Sequence, residues 1–401
     1  MYKTNNKQVL IAGGGYAGIQ VALTLERLLE GTGTEILLID KKPYHTLLPS
    51  LPEIISKRGF SVINYRDIIR DKRIKFVQST ITNIDLNKKL VDIIDKENYN
   101  HSLLRYDFLV ISLGSQPFLP NIEGLKEYAF QFNSIQDAQK IAERISDTTL
   151  SGNIVIAGGG ATGVELAGEI SSVLKAQQKQ NSSNYPKSNV IDIILVSPHL
   201  LSGFPDSAVS WAKAYLRSLG VKLLVCPECH VLQVRPDAIY LKNGNQITYT
   251  MFIWTGGVSA HSLLKNTGLK IGEKGRVVVS KYLQAESRQD VFVVGDAALV
   301  FDNKGEALPT SAYIAEQQGR IVAQNISTLL AGGQEKKLRE YRPEEPWSTF
   351  AISIGKDFAV SRAGGLDLFG YCASALKKLI KMKYLKDIAG SSLAAKEFYK
   401  F

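Results

Sequence analysis

Cysteine is almost absent, three residues in 401. That is too few for a disulfide framework in a chain of this size, so a reducing compartment is expected. Proline is also scarce, at 13, while 45% of residues are apolar and 21% charged, which sets aside collagen-like and proline-rich disordered chains. Long apolar runs are missing as well. The strongest, Phe108–Leu113 and Ile191–Val196, are strand-sized, far short of the roughly 20 residues that span a bilayer. Met1–Lys7 is polar and runs straight into a strand pattern, with no secretory apolar segment. Acids are the under-represented charge: 38 Asp and Glu against 48 Lys and Arg leave +10. Such a balance calls for an acidic partner, whether nucleic acid, anionic lipid or an anionic cofactor. No zinc spacing, RNA-recognition signature or helix-turn-helix pattern accompanies it, which argues against nucleic acid. Residues 351–401 carry nine cations and four acids, so half of the excess sits at the C-terminal end.

What the chain does have is glycine in two ordered places. Gln8–Ala12 is a buried-type strand followed by Gly13-Gly14-Gly15-Tyr16-Ala17-Gly18, with Gly13, Gly15 and Gly18 in G-x-G-x-x-G spacing. A helical pattern through Val21, Leu25 and Leu28 ends at Gly31, and Glu35–Asp40 is a second strand closing on an acid. This strand–turn–helix–strand–acid unit is the dinucleotide-binding signature. The glycines admit the pyrophosphate to the backbone, the helix N-terminus offers it free N–H groups, and Asp40 can accept from ribose hydroxyls. The unit recurs at Asn153–Ala157 and Gly158-Gly159-Gly160-Ala161-Thr162-Gly163, followed by a helix, a polar loop over Gln177–Asn189 and the strand Ile191–Val196. Where the second acid is expected the chain has Ser197. Two turns predict two dinucleotides, one a fixed flavin and the other a diffusing nicotinamide nucleotide.

A third signal is Asp290–Asp296, an apolar strand ending in Gly295-Asp296, whose carboxylate suits the ribityl hydroxyls of FAD. Tyr106–Gly114 and Met251–Gly257 are further strands ending in glycine, at Gly114 and at Gly256-Gly257, as crossovers between two units would be. The expected fold is therefore α/β, with two Rossmann-like domains. Residues 1–117 and 258–330 form a discontinuous FAD domain, and 118–257 an inserted NAD(P)H domain. Residues 331–350 are read as a charged linker, opening a C-terminal section, 331–401.

At this point the chain resembles the two-dinucleotide-binding flavoproteins, and among them the type II NADH:quinone oxidoreductases, single-chain respiratory NADH dehydrogenases that do not pump protons. The resemblance runs through Gly13–Gly18, Tyr44–Pro49, Asp107–Gly114, Gly160–Glu165, Ile253–Gly257, Val293–Asp296, Ala315–Gly319 and Ile354–Val360, then Gly370–Ile388. It implies FAD as cofactor, NADH as donor, a membrane quinone as acceptor, and a peripheral position on the cytoplasmic side of the cell membrane. The chain departs from the family at Ser197, where an acid normally favours NADH; a serine tolerates NADPH. It departs again at Tyr313, in place of the first glutamine of the quinone-site helix.

The resemblance also assigns roles. The helix start at Leu308-Pro309-Thr310-Ser311, before Ala312, would point its positive end at the flavin. Tyr313 and Gln317, four apart, share a helical face and would form a polar wall for the quinone. Glu165, following the second turn, would lie near nicotinamide and quinone and relay protons. Lys356 joins the cofactor-binding set. Cys226-Pro227-Glu228-Cys229 lies in the inserted domain and is read as inert, Cys372 as a packing residue, and no residues as metal ligands.

Asp367–Ile388 is expected to be one amphipathic helix on the membrane surface. Phe369, Leu376, Leu379, Ile380 and Tyr384 would be on the lipid face, with Lys377, Lys378, Lys381 and Lys386 outside it and Lys383 snorkelling. The same helix could instead cap the FAD domain or build a homodimer. Two other functions stay open at this stage: a soluble NAD(P)H-dependent reductase of a ferredoxin or other acceptor, and a flavoprotein of the apoptosis-inducing-factor kind.

Overall fold

The computed structural model describes residues 7–57, 62–95, 97–147, 149–180, 191–345 and 347–398. β1 (Gln8–Ala12) is buried from Val9 to Ala12, as a parallel strand covered on both faces must be. The first glycine turn opens helix α1 (Tyr16–Leu28), which returns the chain to β2 (Glu35–Asp40). β3 (Ile74–Gln78) and β4 (Phe108–Ile111) follow, and β5 (Ser115–Pro117) leads out. The second unit comprises β6 (Phe130–Gln131), β7 (Gly152–Ala157), helix α2 (Ala161–Gln180), β8 (Ile191–Ser197), β9 (Lys222–Val225) and β10 (Met251–Trp254). β11 (Val258–Ala260) returns antiparallel to β5, Ser115 opposite Ala260, and β12 (Val291–Val293) re-enters the first sheet beside β4.

Both five-stranded sheets are parallel, in the orders β12-β4-β1-β2-β3 and β6-β10-β7-β8-β9. In each, the strand carrying the glycine turn lies at the point where the order reverses, which places the ligand crevice at its C-terminal end. Helix α2 runs to Gln180, into the stretch expected as a polar loop, because its first part is already anchored by buried Leu166, Ala167, Ile170 and Leu174; residues 181–189 of that stretch lie outside the described residues.

After the second unit, helix α3 (Ala312–Leu330) starts at an N-cap, Ser311, whose hydroxyl accepts from Ile314 N at 3.2 Å. It packs closely on α1: a Cβ at Gly319 would lie 2.7 Å from the Ala17 carbonyl oxygen. The described residues of the stretch read as a linker, 331–350, are not free as their charge suggests. Leu338 and Tyr341 are buried, and Arg339 N donates to the buried Asn325 Oδ1 at 2.7 Å, so the segment is strapped back over the fold. Then come the antiparallel strands β13 (Phe350–Ser353), β14 (Ala359–Ala363) and β15 (Leu366–Gly370), helix α4 (Tyr371–Ala389) and helix α5 (Ser391–Phe398).

This corrects the C-terminal expectation. Asp367 and Phe369 belong to a strand, not a helix, because Gly364 and Gly365 both take positive φ and turn the chain into a hairpin. Asp367 is held there by Arg362 Nε at 2.5 Å and by the Ser207 hydroxyl at 2.6 Å. Among the described residues no helix is long and apolar enough to cross a membrane.

Candidate functional site

A cavity of about 940 Å³ joins the C-terminal ends of the two sheets, lined by Gly13–Ala17 of the first unit and by Ala161, Thr162 and Glu165 of the second. The first turn is close-packed on the side facing the protein. Gly13 has φ +108°, a Cβ on it would lie 2.3 Å from Ser112 O, and one on Gly18 would lie 1.9 Å from Gly13 O. On the cavity side the reverse holds: nothing lies within 4 Å of a Cβ on Gly15. Gly15 is also the N-cap of α1 and supplies no side-chain acceptor, which leaves the helix N–H groups free for an anion. Asp40 ends β2 as expected, its two oxygens accepting from Gly14 N at 2.8 Å and Lys42 N at 2.9 Å.

The second turn repeats the first. Gly158 has φ +129°, a Cβ on Gly163 would lie 1.9 Å from Gly158 O, and Gly160 faces open space. Ser197 takes the post of Asp40: its buried hydroxyl accepts from Gly159 N at 3.0 Å. At the crossovers, Gly114 and Gly257 take positive φ, and Gly256 lies flat on Trp254, whose ring would be 2.2 Å from a Cβ. Gly295 also takes positive φ, and its N–H is held by buried Gln318 Oε1 at 2.7 Å. Asp296 accepts from the Ser115 hydroxyl at 2.7 Å; burial raises its carboxyl pKa, opposed by that hydrogen bond and by Arg276. Ala312 begins α3 at the cavity wall. An open glycine cradle, a helix N-terminus without a side-chain cap and a desolvated carboxylate on the same cavity are the donor and acceptor set that an FAD needs.

Tyr313 and Gln317 do share a face, and they meet on a residue that spacing alone did not reveal. Glu344, on the strap, accepts from the Tyr313 hydroxyl at 3.1 Å and from Gln317 Nε2 at 3.2 Å. The Tyr341 hydroxyl adds a bond to Gln317 Oε1 at 3.5 Å. Burial and the Glu344 carboxylate raise the Tyr313 phenol.

Glu165 lies beyond the first turn of α2 and is 7% exposed. It accepts from Ser353 N at 3.0 Å and from the Ser353 hydroxyl at 3.2 Å, and pairs with Lys377 Nζ, which also donates to Ser353 Oγ at 2.9 Å. Lys377 is thus turned inward, and so is Lys381, paired with Glu53 at 3.0 Å. Both were expected to face lipid phosphates. Two desolvated carboxylates in the cavity wall draw them in instead, since an unpaired buried charge is costly. Tyr384 is likewise buried rather than lipid-facing: its hydroxyl bonds His45 Nε2 at 2.9 Å, and the Tyr16 ring packs against its ring at 4.7 Å, tilted by 31°. Burial lowers His45 to about 4.

Lys356 is exposed, at the cavity rim between β13 and β14. Cys226 and Cys229, read as inert, are joined as a disulfide outside the cavity, and Cys372 is exposed rather than packed. Among the described residues no group of three His, Cys, Asp or Glu is placed to hold a metal ion.

Residues 7–319 match the family described as pyridine nucleotide-disulphide oxidoreductase. A type II NADH:quinone oxidoreductase of Staphylococcus haemolyticus is 29% identical over 416 residues, and one of a Staphylococcus epidermidis strain 30% identical over 421, each alignment covering 98% of both chains. The solved structure of NDH2 from Plasmodium falciparum in complex with NADH superposes with a TM-score of 0.84 at 18% identity, over 99% of this chain and 98% of that one. At that identity the likeness speaks for the fold.

Proposed function

Since the chain belongs to the pyridine nucleotide-disulphide oxidoreductases, and with its curated relatives to the type II NADH:quinone oxidoreductases, we propose that it oxidises NADH and reduces a membrane quinone through bound FAD, without pumping protons. The observation that carries this reading is one cavity bounded by the first glycine cradle, by Ala161 and Thr162 at the start of α2 just after the second, and by the polar wall of Tyr313 and Gln317. The sequence boundaries give the assignment of domains: 1–117 and 258–330 hold FAD, 118–257 holds NAD(P)H, and 331–401 covers the site and meets the membrane.

FAD, when bound, supplies the chemistry of accepting a hydride and releasing two electrons. The chain's residues hold and orient. Gly13, Gly15, Tyr16, Ala17 and Gly18 present the α1 N-terminus to the pyrophosphate, Asp40 takes the ribose, and Gly114, Gly295 and Asp296 take the ribityl chain. The α3 N-terminus at Ala312 offers partial positive charge to the ring system. Gly158, Gly160, Ala161, Thr162 and Gly163 do for the nicotinamide nucleotide what the first turn does for FAD. Ser197 stands at its ribose, Gly256 and Gly257 line the approach, and Lys356 attracts the anionic nucleotide at the rim. Gln317 donates to a quinone oxygen beside Tyr313, and the Glu165–Lys377–Ser353 cluster holds protons at the opposite wall.

The membrane contact is read here on a different set of residues. The outer face of α4 exposes Tyr371, Leu379 and Ile380, with Lys383 and Lys386 beside them. Ile380 also lines the cavity, so the cavity opens where this face would meet lipid. That supports a peripheral enzyme fed with quinone from the bilayer; the cytoplasmic side is what the family resemblance implies.

The test is turnover by the purified yellow protein. NADH consumption that depends on added water-soluble quinone supports the reading. Activity with a ferredoxin but none with a quinone refutes it in favour of the soluble reductase.

A further inference from the structure

Another carboxylate borders the cavity and has no part in that scheme. Glu316 precedes Gln317 on α3, its side chain only 21% exposed, wedged between α1 and α4. Three helices supply its neighbours. On α3, Arg320 Nη2 lies 3.3 Å from its carboxylate and also reaches Gln20 of α1 at 3.5 Å. α1 adds the Tyr16 ring, and α4 adds Tyr384, Lys383 and Asp387. Burial lifts the Glu316 carboxyl, Arg320 and Lys383 pull it down, Asp387 pushes it up, and it settles at about 7.

Beside it runs a short polar line. The Tyr384 hydroxyl meets His45 Nε2 at 2.9 Å, and His45 Nδ1 faces Gly14 O at 3.2 Å. The Tyr16 ring closes the space between, 4.8 Å from the imidazole and 4.7 Å from the Tyr384 ring. Tyr16, His45, Glu316 and Tyr384 all face the cavity that Gln317 lines. An acid at this place is half-protonated near neutral pH, next to the residue assigned to the acceptor, with Arg320 exposed behind it as a route to water.

We propose that Glu316 is a proton donor in quinone reduction. The inference rests on the quinone reading above. In the net reaction NADH and one solvent proton convert a quinone to its quinol: NADH loses two electrons, the quinone gains them, and two O–H bonds form. Glu316 gives its carboxyl proton to form one of them, is left as carboxylate, and regains a proton from water past Arg320. Because only the protonated acid donates, quinone reduction slows as pH rises through about 7.

Anaerobic stopped-flow measurement of the two half-reactions, at several pH values, tests this with Glu316→Gln and Glu316→Asp. In Glu316→Gln, reoxidation by a water-soluble quinone falls by about 100-fold or more and loses its pH dependence near neutrality, and the loss falls on that half-reaction rather than on reduction by NADH. Glu316→Asp restores a titrating profile. In the resting protein, without quinone, an infrared carboxyl band titrates near neutral pH and is missing from Glu316→Gln. Wild-type reoxidation with an unchanged pH profile in Glu316→Gln overturns the proposal, as does a resting protein with no such band. A wild-type protein that is never reoxidised by quinone refutes the quinone reading instead, which separates the two failures.

Discussion

Lys377 on α4 and Glu165 on α2 lie 212 residues apart in the chain and form an ion pair whose side chains are 15% and 9% exposed. The pair fastens the C-terminal section to the second nucleotide unit at the wall of the cavity. Removing only the cation leaves a desolvated carboxylate. Lys377→Ala is therefore expected to cost about 3–5 kcal/mol in urea unfolding, while Lys386→Ala, at an exposed position, stays within about 0.5 kcal/mol of wild type. Equal midpoints for the two variants would show that the pair contributes nothing.

Asp296 is proposed as the acceptor for the ribityl chain, and the Ser115 hydroxyl already donates to one of its oxygens. Loss of a charge-assisted acceptor costs about 1.5–3 kcal/mol, so Asp296→Ala should leave gel filtration depleted of flavin, and flavin absorbance against protein measures this. Full occupancy would remove Asp296 from the cofactor site.

Ser197 and Asp40 hold the same post in the two units, each accepting from the N–H of the middle glycine. Without a carboxylate there, the second unit has nothing to repel a 2′-phosphate. Wild type should then discriminate weakly between NADH and NADPH, and Ser197→Asp should shift the ratio of kcat/KM values towards NADH by at least about 10-fold. A wild-type preference of a hundredfold or more would place the selection elsewhere.

On the outer face of α4, the face proposed to meet a membrane, Lys383 and Lys386 are exposed beside Leu379 and Ile380. Each lysine is worth about 1 kcal/mol near an anionic surface. Replacing Lys386 with glutamate and Leu379 with serine should weaken sedimentation with anionic liposomes in low salt and spare NADH oxidation with a water-soluble quinone. Liposome binding that survives the double change, or a chain that self-associates through this face, counts against the membrane assignment.

Much of the fold was legible because its signals are local. G-x-G-x-x-G between a strand and a helix, Gly-Asp after Val291–Val293, and a serine cap before Ala312 each bind sequence neighbours to one another. The hairpin ending at Gly370 had a local signal too, Gly364-Gly365, but the apolar spacing of the helix beyond it masked the strand. The partners at the site were not legible. Lys377 to Glu165, Lys381 to Glu53 and Glu344 to Gln317 are pairings across the chain, and a lysine's helical position does not tell whether an acid waits inside. Net charge misled in the same way: the strap at 331–350 reads as a solvated linker, yet it buries Leu338 and Tyr341 and delivers Glu344 to the polar wall.

The central claim is that one cavity passes electrons from a nicotinamide nucleotide to a quinone. It is tested most directly by following the flavin absorbance of the anaerobic protein through one cycle. Equimolar NADH should bleach the band, and a water-soluble quinone, with no oxygen present, should restore it. A band that NADH leaves untouched, or that stays bleached when quinone is added, would contradict the account.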